Sequence, residues 1–162
     1  MRRAIGFSIV CVLVGSISSL AADTADTRKA VAQRVFDEIL NAGRFDLAAQ
    51  LYADDFVNHG ATRDVGLDED QNAARGWRSA APDLVTTIDK LLADGEFVVV
   101  LWRAEGTNTG SGNGLPATGK HVKTRGVTIW RILNGKIHEE WSVFDQAGIM
   151  LQLGLLIPAP SR

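Results

Sequence analysis

The chain has 162 residues, 46% of them hydrophobic, with 17 lysines and arginines against 19 aspartates and glutamates and a formal net charge of -2. That is enough apolar material for one domain core, and the mildly acidic balance gives no general attraction to nucleic acid or an anionic membrane surface. Its one cysteine, Cys11, lies in the amino-terminal segment, so redox chemistry and thiol catalysis are excluded for the chain that remains once that segment is removed.

Residues 1–21 carry Arg2 and Arg3, an apolar run from Ile5 to Val14, and small residues at Ser19 and Ala21. This is the pattern of a secretory signal peptide cleaved after Ala21, and the run is shorter than the roughly 20 apolar residues needed to span a bilayer. The expectation is an exported protein, periplasmic or secreted, with no membrane anchor after cleavage. One domain over residues 22–154 comes next, then an extended tail over 155–162 that contains Pro158 and Pro160.

Residues 24–41 predict a helix, because Val31, Val35, Phe36, Ile39 and Leu40 form one apolar stripe and Gly43 comes after them as a stop. A short helix is predicted over 46–52. The segment 52–60 then leaves helical periodicity, with Phe56 and Val57 as core anchors. His59 lies just beyond them and precedes Gly60, where the chain can turn a side chain inward, so it is a candidate pocket acid or base; a loop histidine bonded structurally is the competing reading. A third helix is predicted over 67–80, acidic in its first turn as helix starts favour, and ended by Pro82.

The rest predicts antiparallel sheet: a strand over 84–92, a turn at Asp94-Gly95, and a strand over 97–107 whose run from Val98 to Trp102 suggests burial on both faces. The Gly-rich loop 108–119 lacks the Lys-Ser/Thr ending and adjoining helix of a phosphate-binding loop, and reads as a hairpin tip or a flap over a pocket. A strand over 121–133, the Asn134-Gly135 turn and a last strand from Lys136 complete the sheet. Helices first and strands last argue for an α+β domain.

Along that last strand Ile137, Glu139, Trp141, Val143 and Asp145 fall at the two-residue period, which puts an acid at the end of a mostly apolar face. Beyond it Ile149, Met150 and Leu153 take helical spacing, up to Gly154. Asp145 therefore reads either as the cap of that helix or as a carboxyl that handles protons in a pocket. Of the tryptophans at 77, 102, 130 and 141, Trp102 and Trp141 are the candidates to line a cavity and Trp77 is a weaker one. His59, His121 and His138 show no metal-ligand spacing, no nucleophile elbow is present, and Arg103 with Asp145 would make only part of an Asp-Arg-Asp cluster.

The order of short motifs, YADDFVNH at 52–59, PDL at 82–84, GTNTG at 106–110, PATG at 116–119, WRILNGKI at 130–137, Glu140-Trp141 through Asp145-Gln146, and LQLG at 151–154, resembles the SnoaL-like polyketide cyclases. These ester cyclases belong to the nuclear transport factor 2-like superfamily. The resemblance implies a cone-shaped α+β fold, amino-terminal helices packed on a curved antiparallel sheet around an apolar pocket. It also implies aldol-type ring closure or isomerisation of a small apolar or aromatic molecule without metal or cofactor. The family's acid/base aspartate matches Asp145, and His59 or Arg125 could face the oxyanion. Those cyclases also carry a histidine on an earlier strand, where this chain has Thr128, Trp130 and Arg131. A noncatalytic ligand-binding module and a homodimer formed through the sheet are the other expectations.

Overall fold

The computed structural model describes residues 23–157. The expected signal segment, 1–21, and the end of the tail, 158–162, lie outside the described residues. Helix α1 (Ala25–Arg34) runs on into a π-helical segment (Val35–Asn41), succeeded by a 3-10 turn (Phe45–Leu47) and the short α2 (Ala48–Leu51). Then come β1 (Tyr52–His59), β2 (Asp64–Val65), α3 (Leu67–Ala80), β3 (Val85–Asp94), β4 (Phe97–Thr107), β5 (His121–Leu133), β6 (Lys136–Phe144) and α4 (Gln146–Leu153).

The amino-terminal helix starts on a capping box: Thr24 Oγ1 accepts from the Thr27 amide at 3.2 Å, and Thr27 Oγ1 accepts from the Thr24 amide at 2.9 Å. Its stripe of Val31, Ala32, Val35, Phe36 and Ile39 is buried against Val98 and Val100 of β4, Trp130 and Ile132 of β5, and Ile137 of β6. Burying each such large side chain is worth about 1.5–3 kcal/mol, so this helix-on-sheet contact is the main stabilising layer. Asn41 ties the helix end to the sheet, its Oδ1 accepting from the Thr86 amide at 2.8 Å and its Nδ2 donating to the Thr86 carbonyl at 2.9 Å.

The six strands are ordered β2-β1-β6-β5-β4-β3, antiparallel throughout except for the parallel pair β1–β6. Segment 52–59, read from sequence only as a break in helical periodicity, is thus a strand, and it carries the chain back across the sheet. Register shifts in β3–β4, β5–β6 and β1–β6 bend the sheet. One decides which side chains face inward. Arg131 pairs with Glu139 while Ile132 pairs with Ile137, so His138 is an extra residue. The inward positions of β6 therefore run Ile137, Glu140, Ser142, Phe144, and the strict alternation expected from sequence is broken.

Strand β4 is not buried on both faces: Val98 and Val100 are fully buried, whereas Phe97 on the opposite face is 42% exposed. The β5–β6 hairpin turns through Asn134 and Gly135 with φ of 51° and 75°, the left-handed pair that an Asn-Gly turn supplies. The Gly-rich loop packs on α3. Buried Asn108 donates to the Ala80 and Gly110 carbonyls, both at 3.0 Å, and accepts from the Thr118 amide at 2.9 Å; Asn113 Nδ2 donates to the Ala73 carbonyl at 2.9 Å. Leu115 from this loop joins Ile149 and Leu153 of α4 in a second apolar cluster with Trp77 and Phe144. Among the described residues, no helix is long and apolar enough to cross a membrane.

Candidate active site: an aromatic cavity with a carboxyl pair

The π-helical segment after α1, helix α3, the Gly-rich loop and α4 close the inner face of the sheet into a cavity of about 290 Å³. Its walls are aromatic and aliphatic. Phe36, Tyr52, Trp77, Trp102, Trp130 and Phe144 line it, with Trp77 edge-on to Phe144 at 5.8 Å between ring centroids. Arg78, Thr86, Glu105, Asn108 and Thr124 are also on the lining, and two further polar groups interrupt it. In one, Trp102 Nε1 donates to Thr128 Oγ1 at 3.0 Å, and Thr128 Oγ1 lies 2.9 Å from Ser142 Oγ.

The other is an acidic cluster. Glu140, on the inward face of β6, accepts from Trp130 Nε1 at 2.7 Å. Asp70, on the first turns of α3, accepts from Asn58 Nδ2 at 2.8 Å and from Gln71 Nε2 at 3.2 Å. The Asn58 amide also approaches Glu140 Oε1 at 3.5 Å, so it bridges the two carboxyls. Burial is the main cause pushing the Glu140 carboxyl up to about 8, the Asp70 charge adds to it, and the Trp130 hydrogen bond opposes it. Asp70 is raised as well, chiefly by burial, against the hydrogen bonds from Asn58 and Gln71. Two carboxyls in one low-dielectric site without a countercation cannot both ionise readily, so near neutrality the pair holds a proton. The Tyr52 phenol beside them is held well above its ordinary value by burial and then by the charges of Glu140 and Asp70, with the Gln71 side chain opposing. It stays a donor.

The residues singled out from sequence divide between this cavity and other surfaces. Trp102 and Trp77 line it, and so does Trp130, which was not among the candidates from sequence. Asp145 lies outside the lining: it is exposed and caps α4, with Oδ1 accepting from the Gly148 amide at 2.8 Å. Trp141 also lies outside, because the extra residue at His138 turns Glu139, Trp141 and Val143 to the opposite face of the sheet. There Trp141 stacks on His59 with centroids 4.6 Å apart. His59 in turn bonds Glu139 through Nε2 at 2.9 Å and lies 3.3 Å from Asp64 through Nδ1, which raises its pKa, the Glu139 bond foremost.

Arg125 is exposed and does not line the cavity. Arg103 pairs with Asp89, not with Asp145. Among the described residues, no three histidine, cysteine, aspartate or glutamate side chains are grouped so as to hold a metal ion.

A six-stranded bent sheet roofed by helices, with its polar chemistry recessed in a cone, defines the nuclear transport factor 2-like class. The family model of the SnoaL-like polyketide cyclases matches residues 30–153, and the chain belongs to that family. Similar solved structures include AclR, described as a hydroxylase, from Streptomyces galilaeus. It is 23% identical, with a TM-score of 0.76 and 85% of this chain and 87% of that one covered. A protein described as a SnoaL-like polyketide cyclase from Jannaschia sp. CCS1 is 21% identical, with a TM-score of 0.74 and 82% and 94% covered. IdmH, described as a polyketide cyclase, from Streptomyces antibioticus is 21% identical, with a TM-score of 0.69 and 78% and 98% covered. At these identities the likeness carries the fold. No curated protein matches the chain.

Proposed function

We propose that this protein binds a small apolar or aromatic molecule in the cavity and performs acid–base chemistry on it, an aldol-type cyclisation or an isomerisation, without a cofactor. The observation that carries this reading is the pair of a buried Glu140 and a part-buried Asp70 inside an aromatic cavity. A pair holding one proton offers a base and an acid in one place. The ionised carboxyl removes a proton alpha to a substrate carbonyl, and the protonated one, with the Tyr52 hydroxyl, donates to the developing enolate oxygen. Desolvation supplies what a solvated carboxylate lacks, a pKa near the working pH. The role that the family resemblance gives to Asp145 passes in this proposal to Glu140 and Asp70, because the Asp145 carboxylate is committed to a helix cap.

The test is exchange of the alpha protons of an aromatic ketone in deuterated buffer, monitored by NMR. Wild type should accelerate it, and Glu140→Gln and Asp70→Asn should each lower the rate by about 100-fold or more while ketone affinity stays within a few fold. Exchange unaltered in both variants would remove the pair from the mechanism; binding without exchange in wild type would favour a ligand-binding module.

Export stands as part of the proposal on the amino-terminal pattern, and appearance of a chain beginning at Ala22 outside the cytoplasm tests it. A homodimer through the outer sheet face is supported by Val143 and Phe97, which are 70% and 42% exposed. A sedimentation coefficient independent of concentration and equal to the monomer's would count against it.

A further inference from the structure

Among the described residues, the acidic cluster has no ion-pair partner of opposite charge. The one permanent cation among the described lining residues is Arg78, and its Nη1 donates to the Leu40 carbonyl at 2.7 Å. The donors around the cluster are also committed: Trp130 Nε1 to Glu140, Asn58 Nδ2 and Gln71 Nε2 to Asp70. Apart from the Tyr52 hydroxyl, what remains beside the carboxyls is acceptor oxygen. Gln71 is 4% exposed, its amide is oriented by the bond from Nε2 to Asp70, and its Oε1 has no hydrogen-bond partner. Farther along β5 on the lining, the Thr124 hydroxyl, which can donate or accept, is also unpartnered. A buried acceptor with no donor is destabilising, and a buried carboxylate with no cation is more so. A ligand that brings both a positive charge and several N–H donors removes both costs at once.

We propose that the cavity takes an organic ammonium, a small amine whose charged nitrogen sits against Asp70, Glu140 and Gln71 Oε1 and whose flat apolar body lies against Trp77, Trp102 and Phe144. The aromatic walls suit this ligand twice, since their faces attract a cation and their area buries an apolar body. A neutral alcohol of the same shape brings one donor and no charge, so it leaves the carboxyl pair dependent on its proton. The ammonium replaces that proton: the pair releases it to solvent on binding and the amine keeps its own. The titratable groups facing Glu140 are Asp70 from α3 and Tyr52 from β1, and the phenol keeps its proton throughout. This inference rests on the reading of the cavity as a ligand site, not on catalysis there.

Titration calorimetry of the purified protein with phenethylamine and with phenethyl alcohol, in two buffers of different ionisation enthalpy near neutral pH, tests it. The amine is expected to bind about tenfold tighter or better, with net proton release. Glu140→Gln should weaken the amine about tenfold and leave the alcohol unchanged. Gln71→Leu, which keeps both carboxyls, should weaken the amine several-fold and so serves if the first variant does not fold. Alcohol binding as tightly as amine, or amine affinity untouched in both variants, overturns the proposal. If neither probe binds, the ammonium assignment falls as well. An aromatic ketone titrated in parallel then separates the two failures, because ketone binding leaves the cavity standing as a ligand site.

Discussion

Replacing Glu140 by glutamine should change the pH dependence of stability before it changes anything else. The Glu140 carboxyl ionises near its ordinary 4.5 in an unfolded chain and at about 8 in the folded one. Between those values the native state holds a proton that the unfolded chain has released, so stability falls as pH rises. The slope approaches about 1.4 kcal/mol per pH unit, and across the whole interval the loss is on the order of 5 kcal/mol. Glutamine cannot ionise, is close in shape to the protonated acid, and keeps an oxygen for Trp130 Nε1. The variant should therefore match wild type within about 1 kcal/mol near pH 5 and exceed it by several kcal/mol near pH 9. Urea unfolding at three pH values measures this directly, since the midpoint moves with stability at constant slope. Parallel curves for the two proteins would show that Glu140 is not a buried acid, and the proton-sharing pair would have to be abandoned.

Other substitutions probe the remaining assignments. Asp145→Ala should cost about 1 kcal/mol in thermal or urea unfolding through loss of the α4 cap, and should leave ketone exchange in the cavity unaltered. A large drop in exchange with normal stability would return Asp145 to the chemistry. The His59 ring, titrated by NMR, should show a pKa above its ordinary 6.5, with Glu139→Gln bringing it back toward that value; its stabilising contribution is present below 6.5 and is lost as pH rises through the folded value. Gly126→Ala should destabilise by about 1–3 kcal/mol, because the added methyl meets the Trp102 ring and the Val143 carbonyl oxygen. The same change should shift Trp102 and weaken ligands in the cavity, and wild-type affinity and stability together would refute that close fit.

The order of elements was legible in the sequence because each depends on local pattern. The stripe from Val31 to Leu40, the acidic start of α3 and the Asn134-Gly135 turn are decided within a few residues. The site was not legible, for a reason that can be located at His138. Alternation along β6 assigns Glu140 to the solvent face and Asp145 to the inner one, and one extra residue reverses that assignment. No residue type near 138 announces the bulge. Asp70 was hidden differently: beside Asp68 and Glu69 it looks like ordinary helix-start charge. The available signal was its helix face, since Asp70, Ala74 and Trp77 recur at helical spacing and all three line the cavity. Asp145 illustrates the converse, a residue whose local pattern supports two readings that only its burial can separate.

The wide turn of Val35–Asn41 has a consequence for how this fold can vary. A π-helical stretch holds one residue more than ordinary winding of the same rise would need, so it behaves as an insertion absorbed within a helix. Deleting a single residue there would restore regular winding and leave the first helix facing nearly as it does now, because the shorter stretch at ordinary winding sweeps almost the same angle. Val31 and Ala32 would then keep their place against β4 and β5, while Phe36 and Leu40, inside the wide turn, would be redrawn at the cavity. Length change at this one site thus reshapes the binding chamber without unseating the upper helix. Relatives that differ by one residue here should differ in the walls around their ligand more than in the packing of their first helix.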